Sequence, residues 1–197
     1  MSHSDRASTT RRRTILVALV VIGTALLGVL GYPSWADPSS ATSRFTGGQA
    51  DGIVGDGVTI FDDDVPAVAN LDPALVGALR RAAADAAGDG VTIYVNSGWR
   101  SRAYQARLLR EAVSEYGSEA EAARWVATAD TSPHVSGDAI DIGRSDATTW
   151  LSRHGAAYGL CQIYGNEPWH YELRPDAIEH GCPAMYADPT HDPRMHE

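Results

Sequence analysis

At 197 residues, with a net charge of −9 and an isoelectric point near 5.1, the chain has the size of one globular domain plus its ends, enough to bury an adequate core without staples. All sixteen basic residues are arginine, and they are unevenly spread: residues 1–36 hold Arg6, Arg11, Arg12 and Arg13 against Asp5, a net of +3, which leaves −12 on residues 37–197. Polyanion binding needs clustered Lys and Arg, so this acidic body excludes nucleic acid as an expected partner.

The chain opens with Arg11-Arg12-Arg13 and then an apolar run from Ile15 to about Leu30. Residues 1–36 therefore read as a signal peptide cleaved after Ala36, or as a retained N-terminal membrane anchor. As a helix the run spans roughly 25 Å against a hydrocarbon core of about 30 Å, and a retained anchor would keep the arginines cytoplasmic. A twin-arginine signal is a third option. Each option puts residues 37 onward outside the cytoplasm, secreted or anchored. Residues 37–51, polar and without apolar periodicity, read as a flexible linker. The folded domain is expected over 52–183, and 184–197 is a tail rich in Pro, Asp and His that hugs the surface or is disordered. Asp62-Asp63-Asp64 lacks the spaced ligands and turn glycine of a calcium loop and reads as a solvated turn.

Within the domain, Asp72-Pro73 starts a helix whose inner face carries Leu75, Val76, Leu79, Ala82, Ala83 and Ala86, ended by Gly88 and Gly90. Val91–Val95 is a short strand that leads into Asn96-Ser97-Gly98-Trp99-Arg100-Ser101. Ser101 caps a helix running to Gly117, and Ser118 with Glu121 forms a capping box for another through Trp125. Thr128–Gly137 is expected as a loop, Ala139–Ile142 as a strand and Asp146–Ala157 as a helix, with strands at Leu160–Tyr164 and Trp169–Leu173. The fold class is α+β, a small antiparallel sheet flanked by helices. A monomer is expected.

Two stretches carry the chemistry. Ser132-Pro-His134-Val-Ser-Gly137-Asp-Ala-Ile-Asp141 and Glu167-Pro-Trp169-His170 can bring His134, Asp141 and His170 onto one cation, with Glu167 beside it. Three protein ligands with an open position is the count of a catalytic zinc site, whereas a structural zinc is closed by four. Cys161 and Cys182 both lie in the exported part, where a pair forms a disulfide. The loop they close encloses Glu167 and His170, so the bond either acts as a plain staple or braces the site.

These two stretches, together with Ser97-Gly98-Trp99-Arg100-Ser101 and Gln105, resemble in kind and order the signatures of the D-alanyl-D-alanine carboxypeptidases and dipeptidases. This zinc peptidase family includes the vancomycin-resistance enzymes and shares its fold with the hedgehog signalling domain. Trp99 replaces the family's usual Tyr or Phe. The resemblance implies Zn2+ held by His134, Asp141 and His170, with Glu167 as catalytic base. It makes Arg100 a catalytic cation that stabilises negative charge or holds a substrate carboxylate. Ser97, Gln105, Ser132 and Trp169 would contact substrate or support the ligands, Trp169 by packing behind them; for Ser132 a loop-capping role is the alternative. The implied activity is removal of a terminal D-amino acid from the peptidoglycan stem peptide. The alternatives are L,D-carboxypeptidase or dipeptidase action, or a non-catalytic hedgehog-like wall-binding module.

Overall fold

A computed structural model describes residues 47–196; the expected signal or anchor, and the linker up to residue 46, lie outside them. The elements in chain order are α1 (Gly47–Ala50), α2 (Pro66–Ala69), α3 (Pro73–Gly88), β1 (Tyr94–Ser97), α4 (Arg102–Tyr116), α5 (Glu119–Ala122), α6 (Pro133–Ser136), β2 (Ala139–Gly143), α7 (Ser145–His154), β3 (Leu160–Gln162), β4 (His170–Leu173) and α8 (Ala177–His180). Among the described residues no helix is long and apolar enough to cross a membrane.

The antiparallel sheet has the order β1-β2-β4-β3. Because strand side chains alternate between faces, β2 sends Ile140 and Ile142 one way and Asp141 the other. The apolar face, with Val95, Leu160 and Tyr171, packs into one buried cluster with Leu75, Ala78, Leu79, Ala82 and Ala86 of α3 and with Trp150 and Leu151 of α7. The opposite face carries Asp141, whose register partners are Ser97 on β1 and His170 on β4. A central strand thus places one carboxylate between two neighbours that bear functional groups.

Local signals explain the long helices. Asp72 accepts hydrogen bonds from the amides of Ala74 and Leu75, with Pro73 in the first turn. Ser101 caps α4, which ends at Gly117 in the left-handed conformation. The departures from expectation occur where local signals are weak. The strand expected at 91–95 runs instead from Tyr94 to Ser97, and Ser118 caps a single turn, Glu119–Ala122. Residues 133–136 coil into one helical turn within the expected loop, with Pro133 at its start and Gly137 (φ 86°) at its end. Val76 is only partly buried, and Ala78 takes its place on the inner face of α3.

Both ends of the domain are more tightly built than composition suggests. Residues 47–51 form a helical turn, and Asp51 accepts hydrogen bonds from the amide and the hydroxyl of Ser101, the latter at 2.7 Å. In the tail, Asp188 and Asp192 are buried at 3 % and 0 % exposure. Arg124 donates to Asp188 at 3.1 Å and the Tyr164 hydroxyl to Asp192 at 2.9 Å. Buried polar groups of this kind anchor a segment that has few apolar residues. Asp62 caps its own turn by accepting from the Thr59 hydroxyl at 2.7 Å, and Asp63 pairs with Arg80.

Candidate metal centre

The fold brings His134, Asp141 and His170 together, all buried, with one ligand atom of each within 4.8 Å of the others. His134 Nε2 lies 3.4 Å from Asp141 Oδ1, His170 Nδ1 lies 3.3 Å from the same oxygen, and the two ring nitrogens are 3.3 Å apart. A tetrahedral ion with bonds of about 2.0–2.1 Å has ligand–ligand edges of about 3.3–3.4 Å. The three atoms therefore have the spacing that such an ion requires.

The far side of each ring fixes which nitrogen faces inward. His134 Nδ1 lies 2.8 Å from the Gly98 carbonyl, which can only accept, so Nε2 keeps its lone pair. His170 Nε2 lies 3.1 Å from Glu172 Oε1, so Nδ1 faces the site. Asp141 Oδ1 is buried without a hydrogen-bond partner among the described residues. Two imidazole lone pairs and a carboxylate oxygen converging with no proton between them are an arrangement that a cation resolves. Without one, a proton takes that role. Burial disfavours charge on His170, but the carboxylates of Asp141 and Glu172 beside its two ring nitrogens outweigh this and raise it to about 9. Burial, with Arg100 nearby, lowers His134. A metal at this place competes with that proton.

Backbone packing sets the His134 arm. Gly98 lets the β1–α4 connection press against α2, where the Trp99 amide donates to the Ala67 carbonyl at 2.8 Å, and a Cβ at residue 98 would come within 2.2 Å of that same oxygen. Gly137 (φ 86°) does the same on the other side, donating no side chain where a Cβ would meet the Asn70 carbonyl at 2.5 Å.

Glu167 sits in the turn before β4, buried, with Oε2 3.7 Å from His170 Nδ1 and Oε1 unpartnered among the described residues. Burial pushes its carboxyl up to about 7, and the neighbouring charges of His170 and Arg100 offset this only in part. Arg100 is held on three sides: Nε donates to Ser97 Oγ at 2.8 Å, one terminal nitrogen to Gln105 Oε1 at 3.2 Å and the other to Asp141 Oδ2 at 2.6 Å.

These contacts revise several expected roles. Ser97 and Gln105 orient Arg100; Gln105 is 1 % exposed, and its amide nitrogen donates to the Ala127 carbonyl at 2.9 Å. Trp169 lies at the groove mouth, 38 % exposed, and does not pack behind the ligands. Ser132 makes no side-chain cap to α6, and its buried hydroxyl is unpartnered among the described residues. The groove over the centre measures about 410 Å³, and its lining includes His134, Glu167, Arg100, Ser132, Tyr116 and Trp125.

Cys161 and Cys182 form a disulfide with Cα atoms 5.6 Å apart, and Cys161 on β3 is the register partner of Glu172 on β4. Glu172 itself did not emerge from the motifs, although strand alternation two residues after His170 marks its face. Arg194, which donates to Glu172 Oε2 at 2.8 Å, carried no sequence signal at all.

The family model "VanY: D-alanyl-D-alanine carboxypeptidase" matches residues 68–176. A D-alanyl-D-alanine carboxypeptidase of Enterococcus faecalis is 32% identical, with 42% of this chain and 40% of the relative covered. The chain thus spans about two fifths of the length of that curated relative. Among solved structures, similarity extends to a Glu-to-Ala mutant of the vancomycin resistance D,D-pentapeptidase VanY from the VanB-type cassette, in complex with Zn(II). The TM-score is 0.52 at 29% identity, over 56% of this chain and 75% of the other. VanYB in complex with D-alanine-D-alanine matches with the same score and identity, over 56% and 74%. The LdcB LD-carboxypeptidase shares the fold at 23% identity, with a TM-score of 0.51 over 65% of this chain and 71% of the other. Residues 68–176 contain the three converging ligand atoms, Glu167 and Arg100, and on that match the chain belongs to the VanY family of D-alanyl-D-alanine carboxypeptidases.

Proposed function

We propose that this chain is a zinc-dependent carboxypeptidase that removes the terminal D-amino acid, D-alanine, from peptidoglycan stem peptides outside the cytoplasm. The observation that carries the reading is the meeting of His134 Nε2, Asp141 Oδ1 and His170 Nδ1 at tetrahedral spacing beside the unpartnered Glu167 Oε1. Two histidines and a carboxylate are a donor set that suits Zn2+. When bound, zinc brings the pKa of a coordinated water toward about 7 and polarises a carbonyl.

The chain's own residues do the rest. Glu167 takes a proton from the attacking water and returns it to the nitrogen of the departing D-amino acid. Arg100, fixed by Ser97, Gln105 and Asp141, has five N–H donors and spends three on those partners. The other two serve the oxygen of the scissile carbonyl as it gains negative charge. Ser132 Oγ, buried and lining the groove, offers a further hydrogen bond to the peptide. Trp169, Trp125 and Tyr116 give the groove aromatic walls for the stem. Zn(II) and D-alanine-D-alanine in the related structures support the choice of metal and substrate class. The disulfide fits an extracytoplasmic compartment.

The test is to incubate the protein with pentapeptide and tetrapeptide stems, with and without a chelator, and to identify the released amino acid. D-alanine released from the pentapeptide and lost with chelator is expected. Release from the tetrapeptide alone would shift the reading to L,D-cleavage, and release from neither by zinc-loaded protein would overturn it.

A further inference from the structure

The C-terminal tail reaches the back of the metal centre. Glu172 is 1 % exposed and holds His170 Nε2 at 3.1 Å. A buried carboxylate needs partners, and Glu172 has two guanidinium groups. Arg174, two residues on and just past the end of β4, donates to Oε2 at 2.7 Å. Arg194, from the tail, donates to Oε2 at 2.8 Å and to Oε1 at 3.3 Å. The fork of Arg194 also closes on Asp192, with its other terminal nitrogen 2.5 Å from Oδ2. Asp192 in turn accepts from the hydroxyl of Tyr164, whose ring lies 5.0 Å from that of His170. Arg194 lies outside the stretch that matches the family, which ends at residue 176.

We propose that Arg194 is a positioning residue for the metal centre, clamping Glu172 so that the carboxylate holds His170 with Nδ1 turned toward the metal. This rests on the metal-centre reading given above. A carboxylate with one free rotation about its terminal torsion is a loose anchor, whereas one gripped by two planar forks has a single orientation, and it passes that orientation to the ring it holds. Removing the tail's fork leaves buried Glu172 with Arg174 as its one guanidinium partner, and buried Asp192 with the Tyr164 hydroxyl but no cation.

Positioning and bulk charge predict opposite signs, which makes the proposal testable. Taking a cation away from the site would by charge alone strengthen binding of Zn2+. Loss of orientation weakens it. The experiment measures zinc affinity by chelator competition, without peptide, on the full chain and on Arg194→Gln, Arg194→Lys and Asp188→Asn, each checked for folding by circular dichroism. Arg194→Gln should bind zinc about 10-fold more weakly, the lower end of the range for losing a ligand's own partner, because Arg194 acts one contact further out through Glu172. Arg194→Lys, which keeps the charge and one contact, should recover part of the loss. Asp188→Asn, which loosens the tail at Arg124 without touching Glu172, should bind zinc as the parent does. Unchanged or tighter binding by Arg194→Gln would overturn the proposal, as would an equal loss in Asp188→Asn, which would mean that any loosening of the tail suffices. Since no peptide is used, a protein that binds zinc in this pattern but cleaves no stem would refute the carboxypeptidase reading alone.

Discussion

The two histidines of the centre are held by different means. His134 leans on a backbone carbonyl, that of Gly98, which is fixed by close packing of the β1–α4 connection against α2. His170 leans on a side chain, Glu172, which is fixed by ion pairs from Arg174, just past its strand, and from the tail. A carbonyl cannot be removed by substitution, so the first arm is vulnerable only through the packing that places it. The second arm is a chain of ionised groups, any of which can be changed singly. A site with near-symmetrical ligands thus has one support encoded in small residues and the other in charges distant in sequence.

The largest effect should come at the centre itself. Glu167→Gln keeps all three ligand atoms and is expected to retain zinc within about 2-fold while losing about 10²- to 10⁴-fold in kcat; His170→Ala should lose zinc and activity together. Metal content and turnover measured on the same samples separate the two, and a fully active Glu167→Gln would remove that residue as the base. On the His134 arm, Gly98→Ala forces a Cβ to within 2.2 Å of the Ala67 carbonyl, so the backbone must shift. A loss of about 2–4 kcal/mol of stability, with weaker zinc binding, is expected from such a clash against rigid atoms. A melting temperature equal to that of the parent would show that the connection can relax.

The Cys161–Cys182 bond joins β3 at the residue paired with Glu172 on β4. Replacing Cys161 and Cys182 together by serine should cost about 3 kcal/mol for a loop of this length. An unchanged denaturation midpoint would leave the bond without a stabilising role.

The smallest effect should be seen in acid. Burial would raise the Asp188 carboxyl, but hydrogen bonds from Thr190, His191 and Arg124 prevail and hold it well below the usual carboxylate range. A carboxylate depressed on folding contributes stability that is fully present above its unfolded value of about 3.9 and is lost as the pH falls below it. The melting temperature of the parent should therefore fall more steeply than that of Asp188→Asn between about pH 5 and 2. Parallel curves would mean that Asp188 does not hold the tail in solution.

Much of this molecule was legible from the chain alone. The caps at Asp72 and Ser101 and the alternation of Ile140, Asp141 and Ile142 are local signals, and local signals fix elements and faces. The trio of His134, Asp141 and His170 was legible because two motifs carry it together and in the order of the family they resemble. Between substrate contact and support of the site, the roles of Ser97 and Gln105 stayed open in the sequence, because a motif shows which residues travel with Arg100, not whether they face outward to a peptide or inward to hold the guanidinium. Trp169 was expected behind the ligands and lies at the groove mouth for a related reason: adjacent strand positions point to opposite faces, and the turn before β4 determines where that alternation begins.

Residue type and short-range spacing carried the fold class, the caps and the motifs behind the family resemblance, and those motifs singled out His134, Asp141 and His170 as candidate ligands. Only the tertiary structure decided how the site is supported. The one-turn helix carrying His134, the burial of Gln105 and the meeting of Glu172 with Arg194, 22 residues away, depend on long-range packing. Strand pairing and the burial of charge set those contacts, and neither leaves a periodic trace in a tail made of Pro, Asp and His.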